Sequence, residues 1–216
     1  MCWNGPVSIL TFAFVLIIFN MFRIRNLPND MLLGYFILGY GSMQLFEFMM
    51  WHGQPCGWTN KIGSFLACIL LFAHPLFVYF GLKHDKAYTH ISPKTFRFLF
   101  AICLLVLLVG VSIMIATRNQ YKYCSYPHPD NHHLVWDFPN RFYDILIIPI
   151  CLAIAVTFVR PWSILAAIGI YYFGTAAYAE YIKKMGASVG SYWCWMVAIF
   201  AALLYIGNGM INAASV

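Results

Sequence analysis

A carboxylate inside an apolar stretch, flanked at helical spacing by polar and aromatic side chains, is the part of this chain best placed to do chemistry. Tyr40, Gln44, Glu47 and Trp51 recur at three- and four-residue intervals, so on a helix they share one face as a polar-aromatic stripe. An ionisable group in hydrocarbon is costly and is kept where it meets a cavity or a partner, so the stripe is expected to point inward. At ~1.5 Å per residue, Glu47 lies about 6 Å below Trp51, shallow enough to be reached from the nearer surface. Asp144 and Tyr178, on two later apolar stretches, are expected at similar height. Asp144 also suits the positive end of its own helix, and the neighbouring Glu180 has Lys184 four residues on for a surface ion pair. The candidate ligand- or ion-binding set is therefore Glu47, Gln44, Tyr40, Trp51, Asp144 and Tyr178.

Thiols and imidazoles form the second reactive group. Cys2, Cys56, Cys124 and Cys194 lie outside the apolar stretches or at the edge of one, whereas Cys68, Cys103 and Cys151 lie inside them and read as small apolar residues. In an oxidising compartment the first four can form disulfides, for example Cys2 with Cys194 and Cys56 with Cys124, and four cysteines allow three pairings. His52, His128, His132 and His133 fall near the same cysteines, and thiolate with imidazole is a zinc or copper ligand set. No Cys-x-x-Cys spacing accompanies them, so no metal is assigned. His74 is the one histidine deep in an apolar stretch, followed by Pro75; it lies ~20 Å below the end of its helix, too far for direct contact with Glu47.

Holding these groups requires a membrane bundle. Hydrophobic residues make up 62% of the chain and charged residues 9%, and the mean hydropathy is +0.74, outside the range of ordinary soluble domains. Seven apolar stretches follow one another: Pro6 to Met21, Asp30 to Trp51, Lys61 to Leu82, Thr95 to Thr117, Phe142 to Val159, Trp162 to Ile182 and Ser188 to Ile211. Each is about long enough to cross a ~30 Å hydrocarbon core as a helix. The expected fold is all-α: a polytopic membrane protein, a seven-transmembrane-helix bundle forming one domain over residues 1–216. The longest polar interval runs only from about Arg118 to Asn140. The first stretch lacks a basic leader and a small-residue cleavage site, and reads as a retained helix.

No basic residue precedes the first stretch and Arg23 and Arg25 follow it, which places the N-terminus outside and, with an odd span count, the C-terminus in the cytoplasm. Cys2, Cys56, Cys124 and Cys194 then share the outer face. The net charge of +6 is spread as singles and pairs over the loops, which fits membrane-edge anchoring and not nucleic-acid binding. Trp3, Trp51, Trp58, Trp136, Trp162, Trp193 and Trp195 lie near stretch ends, as interfacial indoles do. Membrane lipid is thus the expected surrounding partner, in a plasma membrane or endomembrane, with the oligomeric state left open.

Familiar seven-span chemistries need residues this chain does not carry. The last stretch has no lysine for a retinal Schiff base between Ser191 and Ile211. It also has no histidine pair of the kind used by zinc-dependent intramembrane hydrolases, and the chain has no His-Glu-x-x-His. No cofactor is implied. The seven-span layout shares its architecture with 3+1+3 sugar-efflux transporters, but Pro75 and Pro149 fall on non-equivalent helices.

Met1, Cys2 and Trp3, Gln44 three residues before Glu47, Trp51, and the run Trp193, Cys194, Trp195 resemble a sparsely characterised group of small multispanning membrane proteins. Its members begin Met-Cys-Trp and carry Gln or His, three residues before Glu, ahead of a Trp in the second helix. The resemblance implies a shared outer-side constellation of Cys2, Cys194, Gln44 and Glu47 but no reaction. Three functions fit the residues. The favoured one is transport or sensing of a small solute, ion or proton through an outward-facing polar cavity centred on Glu47. The others are an intramembrane enzyme acting on a lipid-like substrate with Glu47 or Asp144 as acid-base, and an accessory or assembly protein without a ligand site. With no His-Glu-x-x-His run and no histidine pair in the last stretch, the reading leans away from the enzyme.

Overall fold

The computed structural model describes residues 4–129, 133–139, 146–160, 162–177 and 189–214. Its helices are α1 (Gly5–Arg25), α2 (Asp30–Gly41), α3 (Met43–His52), α4 (Trp58–His84), α5 (Pro93–Ala116), α6 (Ile148–Phe158), α7 (Trp162–Ala177) and α8 (Val189–Ala213), with a short 3-10 turn at Lys86–Tyr88. Two strands, β1 (Cys124–Pro127) and β2 (Leu134–Asp137), pair antiparallel between α5 and α6. Four helical segments are long and apolar enough to cross a membrane: Gly5–Arg25, Trp58–His84, Pro93–Ala116 and Met196–Ala213.

Helix starts and stops follow local chemistry. Asn4 caps α1, its Oδ1 accepting the Val7 N–H at 3.0 Å, and Pro6 occupies the first turn where its missing donor costs nothing. Asn26 ends α1 in the left-handed conformation (φ 50°), which an asparagine tolerates. Arg23 and Arg25 thus belong to the last turn of α1, not to the loop beyond it, where their charge complements the helix dipole. Ser92 caps α5 through the Thr95 N–H at 3.1 Å.

The second apolar stretch is one helical run interrupted at Ser42. Ser42 keeps helical angles (φ −62°, ψ −22°), and both its N–H and its hydroxyl bond back to the Leu38 carbonyl, at 2.9 and 2.7 Å. Close packing accompanies the interruption. A Cβ on Gly41 would stand 2.5 Å from a Val15 methyl, so only glycine lets α1 approach there. Across the α3–α4 contact a Cβ on Gly63 would stand 2.8 Å from the Phe46 carbonyl oxygen.

α4 is the central element, packing on α2, α3, α5 and α6, while α8 packs on α1, α2 and α7. Two apolar clusters divide the interior along the bundle. One gathers Phe22, Leu33, Ile37, Leu82 and Tyr88 with Phe200 and Leu204. The other gathers Met43, Met50, Cys68 and Phe72 with Leu134, Trp136 and Phe138 from the strand ribbon. The ribbon is the departure from an all-helical expectation: the polar interval folds back and buries its own apolar side chains on the end of α3 and α4. Outward faces stay apolar, with Phe98, Leu105, Leu108 and Ile115 of α5 exposed, as suits hydrocarbon surroundings.

Candidate functional site

The Glu47 stripe is assembled by α3 and the last turn of α2. Gln44 and Glu47 are both fully buried, and the Gln44 amide donates to Glu47 Oε2 at 2.9 Å, the contact that three-residue helical spacing allows. Met43 and Met50, about one turn to either side of Glu47 on the same face, belong to the cluster covered by the ribbon. Two turns deeper, Tyr40 stacks on His74 of α4 with ring centroids 4.3 Å apart and planes inclined by 21°. His74 lies beside the Gly39 backbone. His74 thus joins the stripe through Tyr40, a contact that the depth estimate against Glu47 gave no reason to expect.

Trp51 is half-buried one turn above Glu47. Its Nε1, the Trp136 Nε1, the Ser64 hydroxyl and the Gln54 side-chain oxygen are buried with no hydrogen-bond partner among the described residues. All four lie at the ribbon end of α3 and α4. A buried donor or acceptor left unmade costs about 1–3 kcal/mol. Asp144 and Tyr178 lie outside the described residues, as do Cys2 and the side chain of Cys194.

Cys56 and Cys124 are joined in a disulfide with Cα atoms 5.3 Å apart, one of the pairings the sequence left open. It fastens β1 to the α3–α4 turn, and two amides reinforce it. The Asn60 amide nitrogen donates to the Met50 and Ser125 carbonyls at 2.7 and 3.0 Å, and its oxygen accepts the Ser125 N–H at 2.8 Å. Gln54 donates to the same two carbonyls at 3.1 and 3.0 Å. The bond withdraws two thiolates from the cysteine-histidine metal set, and no group of three or more His, Cys, Asp or Glu gathers among the described residues. Cys68 and Cys103 are buried thiols within helices.

Sequence reasoning passed over the opposite end of the bundle, where two carboxylates are fully engaged. Asp30 accepts Arg25 Nε and Nη2 at 2.9 and 2.6 Å, the Leu27 N–H at 2.8 Å and the Asn208 amide at 2.7 Å. Arg25 also donates to the Tyr205 carbonyl at 2.7 Å and lies 3.8 Å over the Tyr205 ring. Asp85 accepts four backbone N–H groups, those of Asn29, Met31, Leu32 and Ala87. Both are saturated structural carboxylates. Their partners lie 53 or more residues away for Asp85 with α2, and 178 for Asp30 with Asn208, so no short motif announces them.

Three of the cavities formed by described residues have largely apolar walls. Tyr40 lines one of about 370 Å³ between α2, α4, α6 and α7; Gln44 and Glu47 line none of the three. Helical fold, apolar outer faces and buried polar stripe together describe a helical chain with several membrane-length helices. No family model, curated protein or solved structure matches it.

Proposed function

We propose that this chain is a seven-span membrane protein, N-terminus outside and C-terminus cytoplasmic, that binds a small solute, ion or proton at Glu47 in order to move or sense it. The seven spans are α1, the α2–α3 run, α4, α5 and the apolar stretches that contain α6, α7 and α8. On this layout the disulfide and the ribbon belong to the outer face. The observation that carries the reading is a fully buried carboxylate paired to Gln44 at an end of the bundle where buried indole and hydroxyl groups have no hydrogen-bond partner among the described residues. Tyr40 and His74 continue the stripe inward and supply groups that could pass a proton or line a path. An ionisable side chain at this depth is ordinarily functional. Its complete burial requires the ribbon end to open for exchange.

Glu47→Gln tests it, because the amide keeps the shape and removes the charge. In protein reconstituted into vesicles, ion or proton flux should be lost or altered while folding is retained. A variant with unchanged flux and binding but lower thermal stability would instead assign Glu47 to helix packing, the accessory reading. Loss of turnover on an added lipid-like substrate would assign it to catalysis.

A further inference from the structure

A groove of about 600 Å³ runs between the start of α4 and the end of α5, on the ribbon side of the bundle. Its floor is Phe65, Leu66, Val111 and Ile115, and Lys61 and Arg118 line its upper end beside Trp58 and Tyr123. Trp58 is 77% exposed, and Lys61 and Arg118 are exposed. Among the described residues, no acidic one lines the groove. The one ion pair among the described residues is Arg25 with Asp30, far from here, so neither cation is neutralised by a described carboxylate. Asp137, the described acid nearest to Arg118 along the chain, accepts the Lys122 N–H.

We propose that this groove holds one anionic phospholipid, its phosphate between Lys61 and Arg118 and an acyl chain along Phe65, Leu66 and Ile115. The geometry suits that occupant. Lys61 lies one turn into α4 and Arg118 two residues past α5, so both stand at one level, with the apolar floor beginning about one turn, or ~6 Å, below. An ordinary boundary lipid needs only the floor. Two cations with no described carboxylate partner above it add recognition of a phosphate, which a guanidinium grips in bidentate fashion. Each basic side chain near a membrane surface favours an anionic lipid by about fivefold, so the pair should favour it by about twenty-five-fold.

The proposal rests on the membrane placement above but not on Glu47. The test uses the full chain in phosphatidylcholine vesicles carrying brominated phosphatidylglycerol or brominated phosphatidylcholine, with the Trp58 signal taken as the difference from Trp58→Phe. Brominated phosphatidylglycerol should quench Trp58 at far lower mole fraction. Lys61→Gln or Arg118→Gln should each lose about fivefold of that preference, and Lys61→Arg should keep it. Val111→Trp, filling the floor, should abolish the preference with both cations in place. Equal quenching by the two lipids, or by neither as when a second copy covers the groove, would overturn the proposal. So would full competition by glycerol phosphate, which would make the ligand a soluble phosphate. Glu47→Gln should leave the preference unchanged, whereas release of the chain from membranes by alkaline carbonate would strike the placement itself.

Discussion

Asp85→Asn should be among the most damaging single-atom changes in this protein. Asp85 is 3% exposed and accepts Asn29 and Ala87 N–H groups at Oδ1, both at 2.9 Å, and those of Met31 and Leu32 at Oδ2, at 2.8 and 3.1 Å. Those donors include the first free N–H groups of α2, so a residue after α4 caps a helix more than fifty positions earlier. Asparagine can keep one oxygen in place, but its amide nitrogen then faces two N–H donors. Two hydrogen bonds to a charged acceptor, at about 1.5–3 kcal/mol each, are lost. The negative charge at the α2 N-terminus adds about 0.3–1 kcal/mol. Together these come to about 3–7 kcal/mol, and rotation of the amide recovers part of that, so the expected loss is about 3–5 kcal/mol. Denaturant titration of the protein in mixed micelles gives the free energy, and amide exchange at Met31 and Leu32 localises it. A loss below about 1 kcal/mol, or unchanged protection of those two amides, would refute the capping argument.

Tyr88 provides a pH test. Burial pushes its phenol up to about 12, with the Arg160 backbone opposing and the Asp85 charge adding to the shift, and its hydroxyl donates to Asn29 Oδ1 at 2.5 Å. The unfolded chain releases that proton near pH 10 while the folded chain keeps it, so the contribution is complete below about pH 10 and is lost as pH rises toward 12. Unfolding free energy of the parent minus that of Tyr88→Phe should fall across this window; a flat difference would remove Tyr88 from the account. Gly41→Ala should destabilise by about 1–3 kcal/mol through overpacking, since its Cβ would stand 2.5 Å from a Val15 methyl. Val15→Ala should relieve most of that cost in a double-mutant cycle, and simple additivity of the two would show that the α1–α2 contact had been misjudged.

What the chain reveals before folding is what local spacing encodes. The described parts of the seven apolar stretches are helical, in α1, the α2–α3 run and α4 to α8, and four of these helices have membrane-crossing length, because a long apolar run has little choice but a helix. The Gln44–Glu47 contact is legible because three residues make nearly one turn. The ribbon is not: its strands are four residues each, carry Pro127 and lie in a polar interval, so no alternation is long enough to read. Its pairing is fixed from outside, by Cys56 and by Asn60 on Ser125. Asp30 and Asp85 escape for the same reason. Their roles are set by Asn208 and by the start of α2, contacts that exist only once the helices are packed. Asp144 and Tyr178 fall outside the described residues, so the height shared with Glu47 stays an expectation of the sequence.

The two ends of the bundle show how the same residue type acquires different work. At the α1–α2 turn each carboxylate oxygen of Asp30 and Asp85 accepts two donors, so these acids have no capacity left for a ligand and serve only to join helices. At the ribbon end the backbone is fastened by a covalent bond and two amides, yet Trp51, Trp136, Ser64 and Gln54 retain buried polar atoms with no described partner. A fold that leaves hydrogen-bonding capacity unmet does so at a cost it would otherwise avoid. On the function proposed above, saturation at one end and unmet capacity among the described residues at the other would set Glu47, a buried acid at the ribbon end, apart from acids that only hold the fold together.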